Sequence, residues 1–136
     1  MVETMISILQ NRARTSVSLS IALSICVFLG CSGRTEECLK KSIETYYSSI
    51  EESDFGIAYD LENSIVRESI SRDQYIENAE SRHVVIDSFA IGKVEVLKDR
   101  ARVEMKLIYV LGEKSRESKF YDAWIIEDGK WRHAPN

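Results

Sequence analysis

The chain has 136 residues, with 18 Lys+Arg against 22 Asp+Glu and a formal net charge of −4. That length allows one domain, and the charge lacks the positive surplus that nucleic acid demands. An apolar content of 44% with one Pro and six Gly excludes a disordered or collagenous chain, and three Cys without metal-ligand spacing exclude a zinc ribbon or a disulfide-dense scaffold. Arg12 and Arg14 precede an uncharged apolar run over residues 17–29, followed by Gly30, Cys31, Ser32 and Gly33. A basic start, a short apolar run and small residues at its end read as a secretory signal peptide. The run is too short for a spanning helix, which needs about 20 apolar residues.

The end of this run, Phe28-Leu29-Gly30-Cys31, resembles the lipobox of bacterial lipoproteins. The resemblance implies a diacylglycerol on the Cys31 thiol and cleavage just before it. It implies a chain held by lipid on the outer side of the cytoplasmic membrane or in the outer membrane. Plain secretion with cleavage after Gly33 is the alternative. The chain is thus expected to divide into a signal peptide over 1–30, a lipidated Cys31 and short tether over 31–35, and a folded domain over 36–136. Cys38 is expected to act as a small apolar residue on a helix face, with an intermolecular disulfide as the alternative.

Thr35 is a plausible helix N-cap, and Glu36 and Glu37 occupy the first turn, where the helix dipole favours acids. Leu39, Ile43, Tyr46, Tyr47 and Ile50 recur at helical spacing, predicting a helix to about Glu51. Ser53-Asp54 restarts the chain into a short helix carrying Phe55, Ala58, Tyr59 and Leu61. Residues 62–69 read as a loop or a frayed extension. A third helix begins at Ser71, with Gln74 three residues on as in a capping box.

From Val84 the apolar period becomes two. Lys98-Asp99-Arg100, Gly112-Glu113-Lys114-Ser115 and Asp128-Gly129 are turns, the last the strongest hairpin signal. A two-residue turn at Asp128-Gly129 sets Ile126 opposite Trp131 and Trp124 opposite His133. A four-residue turn at 112–115 sets Leu107 opposite Phe120, Met105 opposite Asp122 and Val103 opposite Trp124. A turn around Asp99 sets Val96 opposite Val103 and Val94 opposite Met105. All three agree on one apolar face, whereas a one-residue slip would destroy the agreement. The expected class is α+β, with N-terminal helices covering one face of a curved antiparallel meander.

Residues 36–133 resemble the nuclear transport factor 2-like superfamily, in helix order, in the long meander and in the ending Asp122-Ala123-Trp124-Ile125-Ile126-Glu127-Asp128-Gly129-Lys130-Trp131. The resemblance implies a cone with a pocket between helices and sheet. It implies no particular activity, because the fold hosts enzymes and binding modules alike.

The register places Asp122 on the apolar face, with His133 as its diagonal cross-strand neighbour. A buried carboxylate must be neutral, paired or hydrogen-bonded. One reading makes Asp122 and His133 a general-base pair, as in isomerases and dehydratases of this fold. The other has Asp122 bonded to a Trp indole, a Tyr hydroxyl or an amide, with no catalysis. Tyr46, Tyr47, Tyr59, Met105, Asp122 and Trp124 are candidate pocket-lining residues. Tyr75 is a further candidate hydroxyl donor, and His83 is expected to be solvated. No metal site or cofactor is expected, because only two His are present and no phosphate- or metal-binding motif occurs. The outer sheet face, read as Phe89, Ile91, Ile108, Val110, Tyr121 and Ile125, is a candidate surface for a homodimer or another partner. The functions to be weighed are a membrane-tethered domain binding a small apolar molecule or a partner, an enzyme using Asp122, and a purely structural module.

Overall fold

The computed structural model describes residues 33–134. The signal-peptide reading and Cys31 lie outside the described residues. Among the described residues, four helices precede four strands: α1 (Glu36–Glu51), α2 (Phe55–Leu61), α3 (Ser64–Ser69), α4 (Arg72–Ser81), β1 (Val84–Leu97), β2 (Arg100–Leu111), β3 (Lys114–Glu127) and β4 (Lys130–Ala134). The strands form one antiparallel sheet in the order β1-β2-β3-β4.

Each helix starts where a capping side chain satisfies an amide that the helix cannot. Thr35 Oγ1 accepts from Cys38 N–H at 3.2 Å, Asn63 Oδ1 from Val66 N–H at 3.0 Å and Ser71 Oγ from Gln74 N–H at 3.3 Å. The segment read as a loop contains α3. Its stabilising contact is tertiary. Glu127, at the end of β3, accepts from Ser64 N–H at 2.9 Å and from Ser64 Oγ at 2.8 Å, placing a carboxylate on a helix N-terminus.

Leu39, Ile43, Tyr46 and Tyr47 of α1 pack against Val103, Met105, Trp124 and Trp131 of the sheet to make the core. Both indoles are buried, as the register argument requires. Cys38 is buried on α1.

The sheet register confirms the parity of the sequence reading and corrects its pairing. Ile126 opposes Trp131 and Trp124 opposes His133 as expected. Between β2 and β3 the turn is two residues, with Leu111 opposite Lys114, so Met105 faces Phe120, Val103 faces Asp122 and Ala101 faces Trp124. Between β1 and β2 the turn is Lys98-Asp99, and Val94 faces Val103 while Val96 faces Ala101. Both errors are shifts of two, which by themselves move no side chain to the other face.

The outer-face list needs a larger correction. Asp87 bulges out between the pairs Ile86–Tyr109 and Ser88–Ile108, and Gly92 and Lys93 oppose one residue between Ile91–Met105 and Val94–Val103. Each bulge reverses the alternation. Phe89 and Ile91 therefore lie inside, packed against the core, and the Phe89 and Tyr47 ring centroids are 5.5 Å apart.

Candidate functional site

The buried polar groups of the domain meet where β4 passes α1 and the α2–α3 junction. Asp122 is 2% exposed on β3, and Glu62 is 4% exposed at the C-cap of α2. His133 of β4 lies between them. Its Nε2 is 2.9 Å from Asp122 Oδ1 and its Nδ1 is 2.8 Å from Glu62 Oε2. Glu62 reaches this place through backbone: it forms an isolated parallel bridge with His133, and Asn63 N–H donates to His133 C=O at 3.0 Å.

With a carboxylate on each ring nitrogen, His133 is the imidazolium, since a neutral ring would turn a lone pair on one of them. Burial opposes this charge, and the hydrogen bonds to Asp122 and Glu62 outweigh it, raising the imidazolium from the ordinary value to about 9. The ring stacks on Tyr46, with centroids 4.5 Å apart and 23° between planes, and meets Trp124 edge-on.

Aromatic donors satisfy the two carboxylates. Asp122 Oδ2 accepts from Tyr47 Oη–H at 2.9 Å and from Trp124 Nε1–H at 3.0 Å. Glu62 Oε1 accepts from Tyr46 Oη–H at 2.8 Å and from Tyr75 Oη–H at 2.9 Å. Burial first, then the adjacent carboxylates, raise the Tyr46 and Tyr47 hydroxyls well above the ordinary phenol value. Tyr75 is also raised, chiefly by burial.

A cavity of about 430 Å³ opens on one side of this network. Tyr46, Glu62, Tyr75 and His133 line its floor, and Ile50, Phe55, Val66, Ile70 and Ile86 form its walls. Asn78, Arg82 and Val84 line it and are exposed, which marks them as the mouth. Of the candidate lining residues, Tyr46 borders this cavity. Tyr47, Met105, Asp122 and Trp124 are buried away from it, and Tyr59 donates its hydroxyl to the carbonyls of Arg67 and Ile70. Asp122 is thus bonded to a Trp indole and a Tyr hydroxyl and also paired with His133. His83 is exposed. Among the described residues, no group of three His, Cys, Asp or Glu side chains is arranged to hold a metal, and no helix is long and apolar enough to cross a membrane.

Sequence reasoning missed Glu62, the carboxylate that faces the cavity. The one available signal is local: an acid beside Asn63, a good N-cap residue, in a stretch without an apolar period. Nothing in that stretch points to β4.

No family model matches the chain, and no curated protein matches it. Solved structures do. A SEC-C motif containing protein from Psychrobacter arcticus is 13% identical with a TM-score of 0.60, over 92% of this chain and 77% of that one. A SEC-C motif containing protein from Rhodopseudomonas palustris is 15% identical with a TM-score of 0.59, over 74% of this chain and 76% of that one. An NTF2-like protein from Cytophaga hutchinsonii is 12% identical with a TM-score of 0.53, over 72% of this chain and 92% of that one. The domain has the nuclear transport factor 2-like α+β fold.

Proposed function

We propose that this chain is a membrane-tethered binding domain. A lipid on Cys31 holds it at an envelope membrane, and its cavity takes a small, largely apolar molecule without transforming it. The observation that carries the binding half is the cavity of about 430 Å³, within the roughly 300–1,000 Å³ usual for ligand sites. Its walls are apolar, and Tyr46, Glu62, Tyr75 and His133 gather at its floor. The tether rests on the sequence alone, on the apolar run and Cys31.

Catalysis by Asp122 is poorly supported. Its carboxylate does not border the cavity, and His133 stands between it and Glu62. Proton abstraction beside a carbonyl also requires donors aimed at the developing oxyanion. Here the hydroxyls of Tyr46 and Tyr75 and both His133 nitrogens already face carboxylates.

Native mass spectrometry of the full chain, extracted in mild detergent from its producing cells, tests the binding reading. An Ala79→Trp variant serves as control, because Ala79 borders the cavity and a Trp there fills it. The expected result is a bound small mass on the wild type that the variant loses. Equal spectra for wild type and variant would sink the reading.

A further inference from the structure

Resting on that binding reading, we propose that the cavity selects an organic cation: a protonated amine joined to a compact apolar body. The argument is an inventory of donors and acceptors. At the floor, the hydroxyls of Tyr46 and Tyr75 both donate to Glu62 Oε1, and both ring nitrogens of His133 are held by carboxylates. Every side-chain donor at the floor is therefore spent within the protein. What remains for a ligand is lone pairs: the second acceptor position of Glu62 Oε2 and the phenol oxygens of Tyr46 and Tyr75.

Charge agrees with this count. Asp122, Glu62 and the His133 imidazolium sum to one net negative charge beneath the floor, and among apolar walls that excess is weakly screened. A carboxylate or phosphate brought to this depth meets a like charge and no donor. A ketone oxygen likewise finds no donor. An ammonium group meets both the charge and the acceptors, and the aromatic residues Phe55 and Tyr75 border the same cavity. Arg82 is the cation that opposes this reading, and its charge reaches the Tyr75 hydroxyl, but it is exposed at the mouth, where water and salt screen it. Ile50, Val66, Ile70 and Ile86 provide the surface against which the apolar body packs.

The test is calorimetric titration of the full chain in detergent with three probes of one shape: cyclohexylmethylammonium, cyclohexylmethanol and cyclohexanecarboxylate, at pH 7. The ammonium should bind at least about tenfold tighter than the carboxylate, the scale of a hydrogen bond to a charged group. Ala79→Trp should abolish binding of all three. Glu62→Gln should erase the advantage of the ammonium over the alcohol, with near-UV circular dichroism confirming that the fold survives. Should that variant unfold, Arg82→Ala decides instead, because it touches only the mouth: ammonium affinity should hold or rise. A carboxylate that binds as tightly as the ammonium, or ammonium binding lost with Arg82→Ala, overturns the cation proposal and leaves the binding reading intact. No binding by any probe, or binding unaffected by Ala79→Trp, overturns both.

Discussion

His133 sits between two carboxylates, and its charge governs the stability of the buried network. Its folded value, about 9, lies above the unfolded value near 6.5. The imidazolium therefore contributes stability that is fully present below about pH 6.5 and is lost as pH rises through about 9, at most about 3 kcal/mol in all. Tyr46 and Tyr75 extend the decline above pH 10, because their folded values are raised and the unfolded chain ionises first. Urea midpoints measured from pH 6 to 10 should fall through this window for the wild type. For His133→Gln they should stay flat up to about pH 9, and a wild-type profile as flat as the variant's would contradict the imidazolium. Asp122 is constrained differently. Its oxygens accept from His133, Tyr47 and Trp124, so Asp122→Asn must turn an amide NH₂ toward a donor whichever way it is placed. A cost of about 1–3 kcal/mol is expected; because the cavity does not include this residue, ligands should still bind, with a weaker preference for a cation once the Asp122 charge is gone. Lost binding in a folded Asp122→Asn protein would place it in the site.

At the scale of elements, two bulges shape β1. They turn Ile86, Phe89, Ile91 and Val94 all inward although their spacing breaks alternation. Gly92 lies in the second bulge, where an added Cβ would come 3.2 Å from the Cβ and carbonyl oxygen of Glu104. Gly92→Ala should therefore cost about 1–3 kcal/mol in urea unfolding, through crowding against backbone. A neutral result would mean that β2 yields there freely. Trp124 joins β3 to both α1 and β4, touching Tyr46, His133 and Asp122. Trp124→Ala should destabilise the domain by about 3–5 kcal/mol, read from the same unfolding curves.

For the whole molecule, the question is where the domain resides and what it meets. Few residues separate Cys31 from Thr35, each spanning at most about 3.6 Å, so a lipid on Cys31 would hold the domain close to a bilayer. Cell fractionation should find the wild type with membranes and Cys31→Ser soluble or unprocessed. Identical processing and solubility for the two would rule out the lipid. The outer sheet face is less apolar than its sequence implies, with Phe89 and Ile91 turned inward, Arg102 stacked 3.6 Å over the Tyr121 ring, and Glu117 bridging Lys106 and Lys119. If copies pair through this face, Tyr121→Glu should convert dimers to monomers in sedimentation velocity. A monomeric wild type would remove the interface.

Local chemistry written along the chain determined the caps at Thr35 and Ser71, the restart at Ser53-Asp54, the hairpin at Asp128-Gly129, and the face shared by Val103, Asp122, Trp124 and His133. These depend on neighbours within a few residues or on parity, and parity survives the two-residue register shifts that the sequence could not detect. Three features depended on tertiary structure. The bulges at Asp87 and Gly92 have no signature separable from ordinary alternation, and the pairing with β2 sets them. Helix α3 has too few residues and too weak a pattern to announce itself, and it forms against Glu127 from the far end of the chain. Glu62 becomes part of the site because a backbone bridge joins it to His133, 71 residues away in sequence. The cavity it faces exists only where four helices and two strands leave space between them. Periodicity says which face a residue takes, and only the packed chain decides which faces enclose a void.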